Sequence, residues 1–79
     1  MREIAPHIVI DPKVRFGKPT IKGTRITLDE VLGFLAGGMG FEEIDREYGL
    51  NKGQIQAAVD YAAAFIKGEE VRLVRTARV

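Results

Sequence analysis

Two helices joined through a single glycine must cross at a steep angle. The stretch Glu43-Ile44-Asp45-Arg46-Glu47-Tyr48-Gly49-Leu50-Asn51-Lys52-Gly53-Gln54-Ile55 imposes that arrangement on this chain. Ile44 and Tyr48 lie four apart, on one helical face. Gly49 stands where a helix ends in a left-handed residue, and Leu50 then turns back inward. Asn51 is placed to cap a second helix, whose first inward residue is Ile55. This is helix-turn-helix spacing, and it points to a binding module rather than a catalyst.

The flanking sequence builds a small domain around that turn. Thr27-Leu28-Asp29-Glu30 is a capping box ahead of Leu28, Val31, Leu32 and Leu35, predicting a first helix over 28–36 that Gly37-Gly38 ends. Phe41, Ile44 and Tyr48 define a second helix over 41–48, with Glu42 and Glu43 in its first turn. The third runs from about Lys52 to Lys67, with Ile55, Ala58, Val59, Ala62 and Ile66 inward and Gly68 as its stop. Before the helices, His7-Ile8-Val9-Ile10, Val14-Arg15-Phe16, Pro19-Thr20-Ile21 and Arg25-Ile26-Thr27 read as two or three short strands joined by glycine turns. Pro12 and Pro19 confine them to edges or strand starts. The expected fold is mainly α: a three-helix homeodomain-like helix-turn-helix unit (27–68), an N-terminal β-element (7–26) and a basic tail (69–79), all in one domain.

At 79 residues the core must be built from few side chains, and a partner subunit would help. The chain has no cysteine and one histidine, His7, so neither a disulfide nor a zinc site is expected. His7 has no Ser, Cys or Asp partner at useful spacing, and the carboxylates Glu42, Glu43, Asp45 and Glu47 read as a solvated helix face. No enzymatic activity and no cofactor are therefore expected. The glycines lack a G-x-x-x-x-G-K-[ST] pattern, which argues against nucleotide binding. With no apolar run long enough to span a membrane and no signal-peptide core, a cytoplasmic location without membrane contact is expected.

Net charge is only +1, but its distribution is uneven. Residues 12–28 hold Lys13, Arg15, Lys18, Lys22 and Arg25 with no acid, whereas residues 29–47 carry six acids against Arg46. Such segregation bears on partners. If DNA is bound, those five cations are expected to contribute at least as much as Lys52, Gln54 and Gln56 at the start of the third helix. That helix is poor in base for a recognition helix. Asp45 also departs from the motif, which usually has alanine four before the glycine.

The segment Gly17-Lys18-Pro19-Thr20-Ile21-Lys22-Gly23-Thr24-Arg25-Ile26, followed by three helices, resembles domain-of-unknown-function family 433. Its hallmark is G-K-P-x-I-x-G-T-R-I ahead of a homeodomain-like three-helix unit, and the resemblance covers about residues 7–68. Members are often described as antitoxins encoded beside a PIN-like ribonuclease toxin. The resemblance thus implies two jobs, neutralising a toxin and repressing the operon. The alternative is an autonomous helix-turn-helix regulator of DNA with no toxin partner.

Two further features bear on partners. The third helix has a second apolar stripe, Ala57, Tyr61, Ala64 and Phe65, and a helix apolar on two sides must be covered on both. The cover is either the N-terminal strands or a second subunit, and a homodimer through Tyr61 and Phe65 is the expectation. In the tail, Arg72, Arg75 and Arg78 recur every three residues beside Val71, Val74 and Ala77. Guanidinium groups pair bidentately with carboxylates, so the tail is expected either to order on the PIN-like toxin that the resemblance implies, with at least one arginine reaching its metal-binding carboxylates, or to be a disordered tail or an extension of the third helix past Gly68.

Overall fold

The structure, a computed structural model, describes the backbone of residues 1–77 and the side chains of residues 1–68. Strands β1 (Arg2–Ala5), β2 (Ile8–Ile10) and β3 (Thr20–Ile21) form one antiparallel sheet in the order β1-β2-β3. Helices α1 (Leu28–Ala36), α2 (Phe41–Tyr48) and α3 (Lys52–Ala77) follow. The three helix starts fall where the capping and periodicity rules put them.

Two corrections concern the β-element. It begins earlier than residue 7, because Arg2–Ala5 pairs with β2, Arg2 opposite Ile10 and Ala5 opposite Ile8. Arg2 and Glu3 are exposed on this edge strand, so the run lacks the apolar signature of a core strand. Val14 is extended, but Arg15 and Phe16 are not, so Val14-Arg15-Phe16 forms no strand. The chain turns there, with Arg15, Phe16 and Gly17 in succession at φ 50°, 59° and 78°. Backbone hydrogen bonds from Gly17 to the Val14 carbonyl (3.1 Å) and from Lys18 to the Arg15 carbonyl (3.2 Å) close the turn. A three-residue alternation with no partner strand cannot outweigh them.

The sheet is bolted to α1 through Thr27, which is fully buried. Its hydroxyl accepts the Glu30 N–H, and the Glu30 carboxylate accepts the Thr27 N–H at 2.9 Å, completing the capping box. Thr27 also bridges to Thr20, and the Leu28 N–H donates to the Pro19 carbonyl at 3.0 Å. Ile8 and Ile21 from the sheet, Leu28 and Val31 from α1, Ile44 from α2, and Leu50, Ile55 and Ala58 around α3 make one buried cluster. Each large side chain in it contributes roughly 1.5–3 kcal/mol through burial.

The α2–α3 turn follows its local rules. Gly49 ends α2 in the left-handed conformation (φ 73°), its N–H donates to the Asp45 carbonyl at 2.8 Å, and Leu50 is fully buried. Tyr48 departs from the expected core role. It is 45% exposed and stacks flat on Phe34 of α1, with ring centroids 4.0 Å apart. The stack joins α1 to α2 at the surface.

A third correction concerns Gly68, which does not stop α3. The helix runs to Ala77, and Gly68 takes no left-handed φ. Glycine inside a helix costs only about 1 kcal/mol relative to alanine. Residues added to an existing helix also avoid the cost of nucleation. Gly49 ends α2 in the left-handed conformation, which Gly68 does not adopt.

Candidate nucleic-acid and partner interface

Folding sets three of the five cations of residues 12–28 against acids. The Arg15 guanidinium donates to the Glu30 carboxylate at 2.8 Å and to the Arg25 carbonyl at 2.9 Å. Lys22 reaches Glu3 of β1 at 3.2 Å, and Lys18 lies 3.8 Å from Asp29. The cations come from the turn segments, and the acids come from β1 and the first turn of α1. Donation by the Thr27 N–H, and then by Arg15, holds the Glu30 carboxyl below the usual glutamate range. Lys22, and then the His7 N–H, does the same for Glu3. Lys13 and Arg25 are exposed and make no ion pair among the described residues.

Most of the G-K-P-T-I-K-G-T-R-I segment therefore builds the fold. Ile21 is in the core, and the left-handed Gly23 (φ 82°) makes the turn. The Thr24 hydroxyl donates to the Ile21 carbonyl at 2.9 Å and accepts the Ile26 N–H at 3.0 Å. The Arg25 carbonyl anchors Arg15, leaving the Arg25 side chain as one of the few groups the fold does not use.

At the start of α3, two of the three residues expected to face nucleic acid are occupied. Gln54 completes a second capping box: its side chain accepts the Asn51 N–H at 2.8 Å, and Asn51 accepts the Gln54 N–H at 2.9 Å. The signal was present in the sequence as N-x-x-Q. Gln56 donates to Asp60 one turn on, at 2.9 Å. Lys52 is exposed beside Phe41, Glu42 and Asp45, where acids outnumber it.

Further along α3 the arrangement opens. Ala57 and Tyr61 are half-buried against the core and, with Ala5, Pro6 and His7, line a cavity of about 480 Å³. The N-terminal hairpin thus faces the first half of the second stripe across this open cavity. Ala64 is exposed, and Phe65 and Ile66 are 63% and 57% exposed. With Pro19, Leu28, Leu32, Tyr61 and Ala62, Phe65 and Ile66 line a second groove of about 380 Å³ between α1 and α3, with Lys18 and Asp29 also on its wall. Ile66, expected on the inward face, lies beyond the point where the body can cover it.

The most exposed large apolar side chain among the described residues was read only as part of a short strand. Phe16, on the left-handed turn between Lys13 and Lys18, is 99% exposed. An aromatic residue in a short alternating run reads as a core position, so no signal set it apart. Arg72 and Arg75 fall on the backbone of α3, and Arg78 lies outside the described residues. Among the described residues, no helix is long and apolar enough to cross a membrane. No group of three or more His, Asp or Glu side chains is placed to hold a metal there.

The family model described as Protein of unknown function (DUF433) matches residues 8–62, and the chain belongs to this family. It is 37% identical over 60 residues to a Mycobacterium tuberculosis protein called "Uncharacterized protein Rv2308", covering 76% of this chain and 25% of that protein. It is 33% identical over 58 residues to "Putative antitoxin VapB45" of the same organism, covering 73% of this chain and 24% of that protein. The chain thus spans about a quarter of the length of these curated relatives. The crystal structure of a DUF433 member protein from Anabaena variabilis superposes with a TM-score of 0.71 at 25% identity, over 86% of this chain and 68% of that one.

Proposed function

We propose that this chain is the antitoxin-like half of a toxin–antitoxin pair, a non-enzymatic homodimer whose α3 engages a PIN-like ribonuclease toxin. The kinship with a protein named as an antitoxin supports the class. The observation that carries the binding role is the length of α3, which runs past the core to Ala77, with Phe65 and Ile66 open to solvent in the single chain as the homodimer face and the segment beyond them left for the toxin. An apolar stretch of this kind marks an interaction surface. Beyond it come Arg72, Arg75 and Arg78, whose guanidinium groups suit the carboxylate cluster of a metal-dependent nuclease. The test is co-expression with the product of a neighbouring PIN-like reading frame. Stable co-purification and loss of ribonuclease activity are expected, and independent elution of the two proteins would reject the reading.

The second reading, a DNA-binding regulator built on a homeodomain-like helix-turn-helix, is favoured by one observation. The left-handed Gly49, the buried Leu50 and the capped start of α3 are the turn such a motif needs. Its contacts would come from Lys13, Arg25 and Lys52 more than from Gln54 and Gln56, whose side chains are already bonded. Each phosphate contact removed flattens the dependence of log K on log salt by about 0.9. Lys13→Ala/Arg25→Ala is expected to lower the slope by nearly two such steps. An unchanged slope would remove the hairpin from any DNA interface.

A further inference from the structure

Phe16 presents a physical problem that the proposed function does not use. A phenylalanine in the left-handed region costs roughly 1–2 kcal/mol in backbone conformation, and Phe16 sits there at φ 59° with Arg15 at 50° before it. Nothing in the chain repays this locally, because the ring is 99% exposed and contributes almost nothing to the core. The conformation is held from outside the residue. The Arg15 guanidinium is fixed by Glu30 and the Arg25 carbonyl, and turn hydrogen bonds on both sides close the loop. A strained turn held this firmly, with an aromatic ring at its tip, is typical of a side chain displayed for contact.

The receptor lies close by in the sequence. Two residues after Phe16, Lys18 and Pro19 form part of the wall of the groove between α1 and α3, which Leu28, Leu32, Phe65 and Ile66 line with apolar surface. The groove holds about 380 Å³, and a cavity of about 150 Å³ is enough to take a benzene ring. Phe16 does not fill the groove of its own chain, being almost wholly exposed. A projecting ring and an apolar groove thus occupy one short segment. A two-fold interface needs both a ring and a groove on every copy, since each must offer both halves of the contact. A nucleic acid fits this region less well, because Arg15 and Lys18 are already engaged with Glu30 and Asp29.

We propose that Phe16 of one chain inserts into the α1–α3 groove of a second copy, and that the exchange is reciprocal. The proposal rests on the homodimer reading and identifies the contact that makes the dimer. It also gives Phe65 and Ile66 their cover, namely the partner's ring.

The absence of cysteine allows a direct test. Phe16→Cys and Ile66→Cys chains, distinguishable by a tag, are mixed and mildly oxidised. The expected product is the mixed 16–66 disulfide, well beyond the roughly twofold excess over either homodisulfide that random pairing of equal amounts gives. In parallel, light scattering across a concentration series compares the unmodified chain with Phe16→Gly, which relieves the left-handed backbone and so keeps the monomer folded. The unmodified chain is expected to be dimeric, with dissociation at least tenfold easier in Phe16→Gly. A dimer unaffected by Phe16→Gly, with no excess of the mixed disulfide, overturns the insertion but leaves the homodimer standing. A monomer at every concentration overturns both. Loss of nucleic-acid or toxin binding in Phe16→Gly with an unchanged dimer reassigns the ring to that other partner and equally overturns the proposal.

Discussion

The cationic turns of the N-terminal region and the middle of α3 differ in how much of their chemistry the fold consumes. In the former, three of five cations are set against Glu3, Asp29 and Glu30, the Arg25 carbonyl binds Arg15, and Thr24 closes its own turn. In α3 the contacts thin out along the helix: Ile55 and Ala58 are fully buried, Ala57 and Tyr61 half-covered, and Phe65 and Ile66 open. A charged segment whose charges are already paired offers little to a partner, whatever its appearance in the sequence. An apolar helix face that leaves the core offers desolvation, the larger source of binding energy.

The largest expected effect tests the gradient along α3. Ile55→Ala should cost about 2–5 kcal/mol of stability by denaturant titration, as a buried large-to-small change does. Ile66→Ala in the monomer should change stability by no more than about 0.5 kcal/mol and act on association instead. Equal losses at both positions would mean that α3 is uniformly packed and that no open half exists.

A smaller effect probes the hairpin as structure. Glu30→Ala removes one half of the α1 capping box and the partner of Arg15, and should cost about 1–2 kcal/mol. Glu30→Gln retains an acceptor for the Thr27 N–H and should recover most of that loss. Failure of Glu30→Ala to destabilise the chain would return Arg15 to the pool of cations available for binding.

The smallest effect is set by pH. Glu30 and Glu3 titrate below the usual glutamate range in the folded chain, chiefly through donation by Thr27 and by Lys22 respectively. Their contribution is therefore fully present above the unfolded glutamate value of about 4.3 and is lost as pH falls below it through the folded values. Acid titration of thermal stability should show this decline, and Glu30→Gln should shrink it. A stability that rose on acidification would contradict the ion-pair geometry.

What could be read from sequence divides along the same line. Thr27 with Glu30, the terminating Gly49 and the start of α3 at Lys52 follow rules that act over three to five residues, and all three were legible. The pairs that neutralise the hairpin join residues far apart, Arg15 with Glu30 and Lys22 with Glu3, and no local rule exposes them. β1 was missed because an edge strand with exposed Arg2 and Glu3 carries no core pattern. The left-handed Arg15 and Phe16 were missed because such residues rarely adopt that conformation. Gly68 was misread because a glycine was taken as a stop on identity alone, although only its φ decides. Of the candidate site, Tyr61 and Phe65 were legible as a second apolar stripe, whereas the paired state of Gln54, Gln56 and the hairpin cations was not.

The central claim is that α3 past the core, and not the cationic hairpin, is the partner-binding surface. The most direct measurement is calorimetric titration of the PIN-like toxin into two variants, one ending at residue 69 and one carrying Lys13→Ala/Lys18→Ala/Arg25→Ala. The account predicts that truncation abolishes binding and inhibition, while the triple variant stays within about threefold of the unmodified affinity, under 1 kcal/mol. Full affinity and inhibition in the truncated chain, with loss in the triple variant, would contradict it.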